Sequence, residues 1–326
     1  MGREGPSSWM SSCRREKGSI VDRTTARPNR RAVLATGVGA ALAATAAAAG
    51  PAHAAPGRGA RVEGRLRALE RTHDARLGAF AYDTGTGRTV AYRADERFPI
   101  ASMFKTIAVA AVLRDLDRDG EVLARRVHYT ADYVKRSGYS PVTGLPENVA
   151  NGMTVAELCE ATLTRSDNTA ANLLLRDLGG PTAVTRFCRS VGDHVTRLDR
   201  WEPELNSAEP GRVTDTTSPR AIGRTYGRLI LGDLLAAHDR ERLTRWMLDN
   251  RTSDERFRKG LPADWLLADK TGGGDYGTNN DAGVAWPPGR PPVVLAVQTT
   301  RFTPDAEADN VLVAEAARLL AEAMTD

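Results

Sequence analysis

The hydrophobic pattern changes period three times along this chain. Residues 61–71 mix charged side chains with Leu66 and Leu69 at helical spacing. Residues 77–83 and 88–95 read as strands on either side of Thr84-Gly85-Thr86-Gly87, which predicts a hairpin. From 100 to 116 apolar residues fall on nearly every side of a helix (Met103, Phe104, Ile107, Val109, Val112, Leu113), the pattern of a buried helix. Further helices run to about residue 250, broken by Gly and Pro clusters. Strand-like runs return at 265–269, 282–286 and 293–300, with a Pro/Gly-rich turn at 287–292, and an amphipathic helix over about 305–324 closes the chain. Strands at both ends with helices between them predict one antiparallel sheet with helices packed on it. The expected division is a discontinuous α/β part (about 58–95 and 252–326) and a helical part (about 96–251).

Charge changes the picture at one end only. The 326 residues carry a formal charge of +4, but residues 1–54 hold 8 of the 45 Lys/Arg and 3 of the 41 Asp/Glu. That leaves 37 basic against 38 acidic residues in the remainder, so no nucleic-acid footprint is expected. Arg30-Arg31 precede a stretch from 32 to 49 of Ala, Gly, Val, Leu and Thr, and Ala52-His53-Ala54 offers a small-x-small cleavage site. This reads as an export signal of the twin-arginine type over 1–54, removed to leave a secreted protein with no stable membrane anchor. Ala and Gly contribute too little transfer energy for a durable span. Of three cysteines, Cys13 falls in that signal, and Cys159 and Cys188 remain.

Four short motifs carry candidate chemistry. Ser102-Met103-Phe104-Lys105 follows Pro99, so Ser102 falls in the first turn of the buried helix, where free backbone N–H groups and the dipole favour negative charge. Lys105 lies on the same face; burial there would lower its pKa and let it take a proton near neutrality. Alone, the motif is more often a helix cap followed by a surface lysine; the other three motifs turn that balance. Ser166-Asp167-Asn168 stands between two predicted helices, a place for an N-cap cluster. In Arg200-Trp201-Glu202-Pro203-Glu204-Leu205-Asn206 the proline disfavours helix at Glu202 and puts that carboxylate on an irregular loop. A carboxylate with a nearby amide can hold and deprotonate water; Glu204 is the alternative base. Lys270-Thr271-Gly272 is expected to end the strand at 265–269, with Gly273 and Gly274 following, and glycines in an edge strand let a ligand approach the backbone. The five histidines (53, 73, 128, 194, 238) show no metal-ligand spacing, and no Gly-x-Ser-x-Gly elbow occurs.

In their order and spacing the four motifs resemble those of the class A serine β-lactamases, over essentially the whole chain after residue 54. The resemblance implies an α/β (α+β sandwich) fold: a five-stranded antiparallel sheet with flanking helices plus an all-helical domain, with the active site in the cleft between them. It implies a monomeric hydrolase, without metal or cofactor, that opens small-molecule β-lactams through an ester on Ser102. Lys105 or Glu202 would be the acylation base, Ser166 the proton relay to the leaving nitrogen, and Glu202 with Asn206 the holders of the deacylating water. Ser102 and Gly273 would form the oxyanion hole. Asn168 would bind the substrate amide, Lys270, Thr271 and Gly272 its carboxylate side, and Tyr139 would line the cleft mouth. Arg200 and Asp215 match an ion pair that pins the Glu202 loop, and Asp167 would be structural. Many members bind the substrate carboxylate with an arginine where this chain has Asn279; Arg256, which matches the position used by another subset, is expected to fill that role. The cysteine partner usual for the Cys159 position is Val109 here, so two separate buried thiols are expected. A D,D-peptidase shares the first and last motifs, but the Glu202–Asn206 stretch argues against it. A β-lactam receptor that acylates without turnover would need an anchor or partner domain.

Overall fold

The computed structural model describes residues 58–325; the export signal expected over 1–54 lies outside them. Strands β1 (Arg76–Asp83) and β2 (Thr89–Tyr92) form the expected hairpin. Asp83 Oδ1 closes its turn by accepting from Gly85 N at 2.8 Å and Thr86 N at 3.2 Å. From the other end of the chain come β3 (Leu266–Gly274), β4 (Thr278–Trp286) and β5 (Val293–Thr300). The five make one antiparallel sheet in the order β2-β1-β5-β4-β3, so β3 is an edge. The longer helices are α1 (Arg58–Thr72), α2 (Phe104–Ala111), α3 (Val155–Thr164), α4 (Asn168–Asp177), α5 (Thr182–Ser190), α6 (Pro219–Leu231), α7 (Ala237–Leu248) and α8 (Asn310–Thr325).

The sheet divides two cores, and strand alternation does the dividing. On β5, Val293, Leu295 and Val297 point toward α1 and α8, while Val294 and Ala296 point toward α2, α6 and the central helices. Each large aliphatic side chain buried this way contributes about 1.5–3 kcal/mol. Helix α2 lies inside the second core with all eight residues buried, as the unbroken apolar pattern predicts. Among the described residues no helix is long and apolar enough to cross a membrane.

Several boundaries differ from the expectation, each for a local reason. Lys270-Thr271-Gly272 does not end its strand: β3 runs on to Gly274 and β4 begins already at Thr278. The side chains there (Asp269, Lys270, Thr271, Asn279, Asn280, Asp281) are polar yet buried, so the hydrophobic pattern ends while the backbone ladder continues. The helix expected over 100–116 is a tight turn at Ala101–Met103, then α2, then a wide turn at Val112–Leu116 closed by Asp117 N donating to Val112 O at 2.9 Å. Helix α8 starts at Asn310 rather than 305, where Asp309 Oδ1 accepts from Leu312 N at 2.9 Å as a cap. Strand β2 stops at Tyr92. Cys159 on α3 and Cys188 on α5 are buried and unpaired, as expected, and burial pushes both thiols well above their ordinary pKa.

Candidate active site

Four segments converge on Ser102. The turn Ala101–Met103 carries it at the head of α2, and Tyr226 from α6 anchors that turn by donating to Met103 O at 2.5 Å. Ala101 takes a left-handed φ of 44° immediately before it, and Ser166 one of 57°; non-glycine residues held there cost about 1–3 kcal/mol each and persist only where packing enforces them. Asp167 caps α4 by accepting from Ala170 N at 2.9 Å and also binds Val142 N, Thr143 N and Thr143 Oγ1, which places Ser166 and Asn168 beside Lys105. The Glu202 loop is closed by Arg200 Nε on Asp215 Oδ2 at 2.6 Å, while Asp215 Oδ1 accepts from Asp199 N and Arg200 N. Edge strand β3 completes the wall. A Cβ at Gly274 would lie 2.6 Å from Asn206 O, an approach only glycine permits, and one at Gly272 would lie a tight 3.1 Å from Ala101 Cβ and 3.2 Å from Ser102 N.

Lys105 is fully buried. Its Nζ lies 2.7 Å from Asn168 Oδ1, 2.8 Å from Ser166 O, 3.0 Å from Glu202 Oε1 and 3.3 Å from Ser166 Oγ. Burial holds its ammonium below the usual lysine range, and the charge of Glu202 opposes that shift. Ser102 Oγ lies 3.4 Å from the same Glu202 Oε1, and Asn206 Nδ2 donates to Glu202 Oε2 at 2.5 Å. One carboxylate therefore touches the hydroxyl, the ammonium and the amide. Lys270 Nζ reaches Ser166 Oγ at 3.1 Å, and burial, with the like charges of Lys105 and Arg256, depresses its pKa strongly. Arg256 lies across β3 and β4, donating to Asn280 O at 3.1 Å and Gly272 O at 3.4 Å, with Nε on Asn310 Oδ1 at 3.1 Å. Asn279 Nδ2 reaches the same Asn310 oxygen at 3.0 Å. Tyr139 is 61% exposed, and its carbonyl accepts from Asn168 N. Gly273 is exposed on the strand edge.

The chain that carries this buried serine–lysine–carboxylate cluster beside an edge strand is similar to known proteins over most of its length. The family of beta-lactamase enzymes matches residues 61–324. A β-lactamase of Streptomyces lavendulae is 69% identical over 92% of this chain and 99% of its own, and one of Streptomyces albus G is 64% identical over the same shares. The chain belongs to the class A β-lactamase family. The solved β-lactamase from Streptomyces albus G superimposes with a TM-score of 0.80 at 68% identity, covering 80% of this chain and 98% of that one. A class A β-lactamase variant of the last common ancestor of Gram-negative bacteria gives 0.76 at 52%, covering 80% and 98%.

The motifs did not reveal every residue that holds this β-lactamase site in place. Asn172 grips both sides of Glu202: its Oδ1 accepts from Glu202 N at 3.0 Å and its Nδ2 donates to Glu202 O at 2.9 Å. It lies four residues after Asn168 on α4, a spacing that could have flagged it. Asn310, which Arg256 and Asn279 share, carries no local signal. Nor does the acid pair Asp269 and Asp281, fully buried beneath Lys270 and Arg256. Asp281 stands well above the usual carboxylate range because of burial and its neighbour Asp269, with Arg256 opposing.

Proposed function

We propose that this β-lactamase is an exported monomer that works through an acyl-enzyme on Ser102. The observation that carries the reading is Glu202 Oε1 lying within reach of both Ser102 Oγ and Lys105 Nζ. In acylation Ser102 Oγ attacks the lactam carbonyl carbon and its proton passes to Glu202. The three ammonium protons of Lys105 face Asn168 Oδ1, Ser166 O and Glu202 Oε1, which suits it to fix the Glu202 carboxylate and stabilise developing negative charge rather than to accept the first proton. The N–H groups of Ser102 and Gly273 stabilise the oxyanion. When the ring C–N bond breaks, Ser166 gives the nitrogen its proton and is resupplied by Lys105, 3.3 Å from its Oγ, which in turn takes back the proton that Glu202 received, 3.0 Å away, so that Glu202 is again a carboxylate before deacylation. Lys270, Thr271, Gly272 and Arg256 take the substrate carboxylate, Asn168 its side-chain amide, and Tyr139 flanks the entrance. In deacylation Glu202 takes a proton from water held between it and Asn206, whose Oδ1 is buried without a protein partner, and Ser102 leaves with its proton restored. The Arg200–Asp215 pair keeps the loop in register.

Glu202→Gln tests this. Turnover of benzylpenicillin should fall by about 10²–10⁴-fold, the contribution of a positioned base. Mass spectrometry should show the drug persisting on Ser102. Rapid turnover with no adduct would move the role to Glu204. Export by the twin-arginine route is tested by replacing Arg30 and Arg31 with Lys and following activity in the culture medium; undiminished secretion would refute it.

A further inference from the structure

A cavity of about 540 Å³ lies behind the active site, with the Glu202 loop as one of its walls. Leu205, Ala208 and Thr214 line it from that loop, Phe98 and Pro99 from the strand leading to the Ser102 turn, and Tyr276 and Phe302 from just beyond β3 and β5. Its size falls within the roughly 300–1,000 Å³ usual for small-molecule sites. Five arginines and three carboxylates line it, and with Arg301 also paired to Asp309 the excess is one positive charge, that of Arg97. Arg97 spends only Nη1, on Val195 O at 2.8 Å and Thr216 Oγ1 at 3.1 Å. Arg301 spends Nη2 on Asp309 and keeps Nε buried without an acceptor, and Thr214 Oγ1 is likewise unpartnered.

From this we infer that the cavity takes a small organic carboxylate with an aromatic or cyclic apolar body, and that its occupancy alters the step in which Glu202 activates water. The guanidinium fork of Arg97 matches a carboxylate, and Arg301, whose Nε has no acceptor, lines the same cavity. The apolar body would rest on the exposed ring of Phe302, beside Tyr276. Coupling is built into the wall: Leu205 lies between Glu202 and Asn206 in sequence, and Asn206 O accepts from Asp275 N at 2.9 Å, tying the loop to the turn after β3. Two sources share the required chemistry, a free aryl acid and the ring-opened product of a β-lactam. The coupling rests on the proposed role of Glu202; the binding site does not.

Equilibrium dialysis separates the two. The probes are 2-naphthoate and hydrolysed benzylpenicillin, each against the parent protein, Arg97→Ala, Phe302→Ala and, as a cleft control, Arg256→Ser. Saturable binding should weaken about tenfold in Arg97→Ala, through loss of a charge-assisted contact, and about fivefold in Phe302→Ala, yet persist in Arg256→Ser. The probe that behaves this way identifies the source. No saturable binding of either, or binding lost in Arg256→Ser and kept in the two cavity variants, overturns the site. With a chromogenic cephalosporin, the bound probe should change kcat at unaltered KM. A competitive pattern overturns the site, and unchanged kcat in a saturated protein overturns the coupling.

Discussion

Arg256→Ser should remove most of the affinity for the substrate carboxylate without removing the reactivity of Ser102. The guanidinium sits over the backbone of Gly272 and Asn280 and hangs from Asn310 Oδ1, so its position is fixed before substrate arrives. A charge-assisted contact to a carboxylate contributes about 1.5–3 kcal/mol. At tenfold per 1.4 kcal/mol, kcat/KM for benzylpenicillin should fall about 10- to 150-fold. Small acylating agents that lack the carboxylate should react with Ser102 at the parent rate. The second arm uses Asn279, whose Nδ2 reaches the very oxygen that Arg256 Nε uses, at 3.0 Å against 3.1 Å. The double variant Arg256→Ser, Asn279→Arg can therefore hang a guanidinium from the same Asn310 and should recover part of the loss. Steady-state kinetics on the three proteins, with thermal unfolding to confirm folding, decide it. If Arg256→Ser alone stays within twofold of the parent, the carboxylate is held elsewhere. If the folded double variant is no better than the single one, the two positions do not share a pocket.

Asp215→Asn should cost about 1.5–3 kcal/mol in urea unfolding, since it removes the charge opposite Arg200 at a side chain 1% exposed; an unchanged midpoint would show that the pair is dispensable. Protein beginning after residue 54 should show no reactive thiol when native and two equivalents when denatured without reductant, from Cys159 and Cys188; reaction of the native protein would contradict their burial. Asp281 predicts a pH effect. Its folded pKa is raised by burial and by Asp269, so the native state binds its proton more tightly than the unfolded chain. Stability from this group is complete below the ordinary carboxylate range and is lost as pH rises from there through the raised value. Asp281→Asn, which cannot ionise, should lack that decline, while Arg256, Asp269 and the Phe257 amide still face the site. Parallel profiles of melting temperature against pH for the two proteins would refute the assignment.

The sequence by itself determined which residues could do chemistry and roughly where the strands lie. Period-two and period-3.6 patterns work wherever one property, burial of apolar area, decides the local structure, as along β1, β5 and α2. The proposed catalytic groups stood out because residue type at short spacing singles them out: Ser102 with Lys105 is one helical turn, and Pro203 keeps Glu202 off a helix. The pattern failed where burial and polarity part company. Strands β3 and β4 run through Asp269, Lys270, Asn279, Asn280 and Asp281, whose polar side chains are all buried, Lys270 and Asn280 on one face of the sheet and Asp269, Asn279 and Asp281 on the other; nothing in their local sequence distinguishes them from a turn. What holds the site together was decided only by tertiary structure. Asn310 and Arg256 are 54 residues apart and Ser102 and Glu202 are 100 apart, and sequence periodicity carries no distance information over such spans. Those contacts exist because the two ends of the chain share one sheet, and packing α2 and the Glu202 loop against its edge strand places a serine, a lysine and a carboxylate within hydrogen-bonding distance.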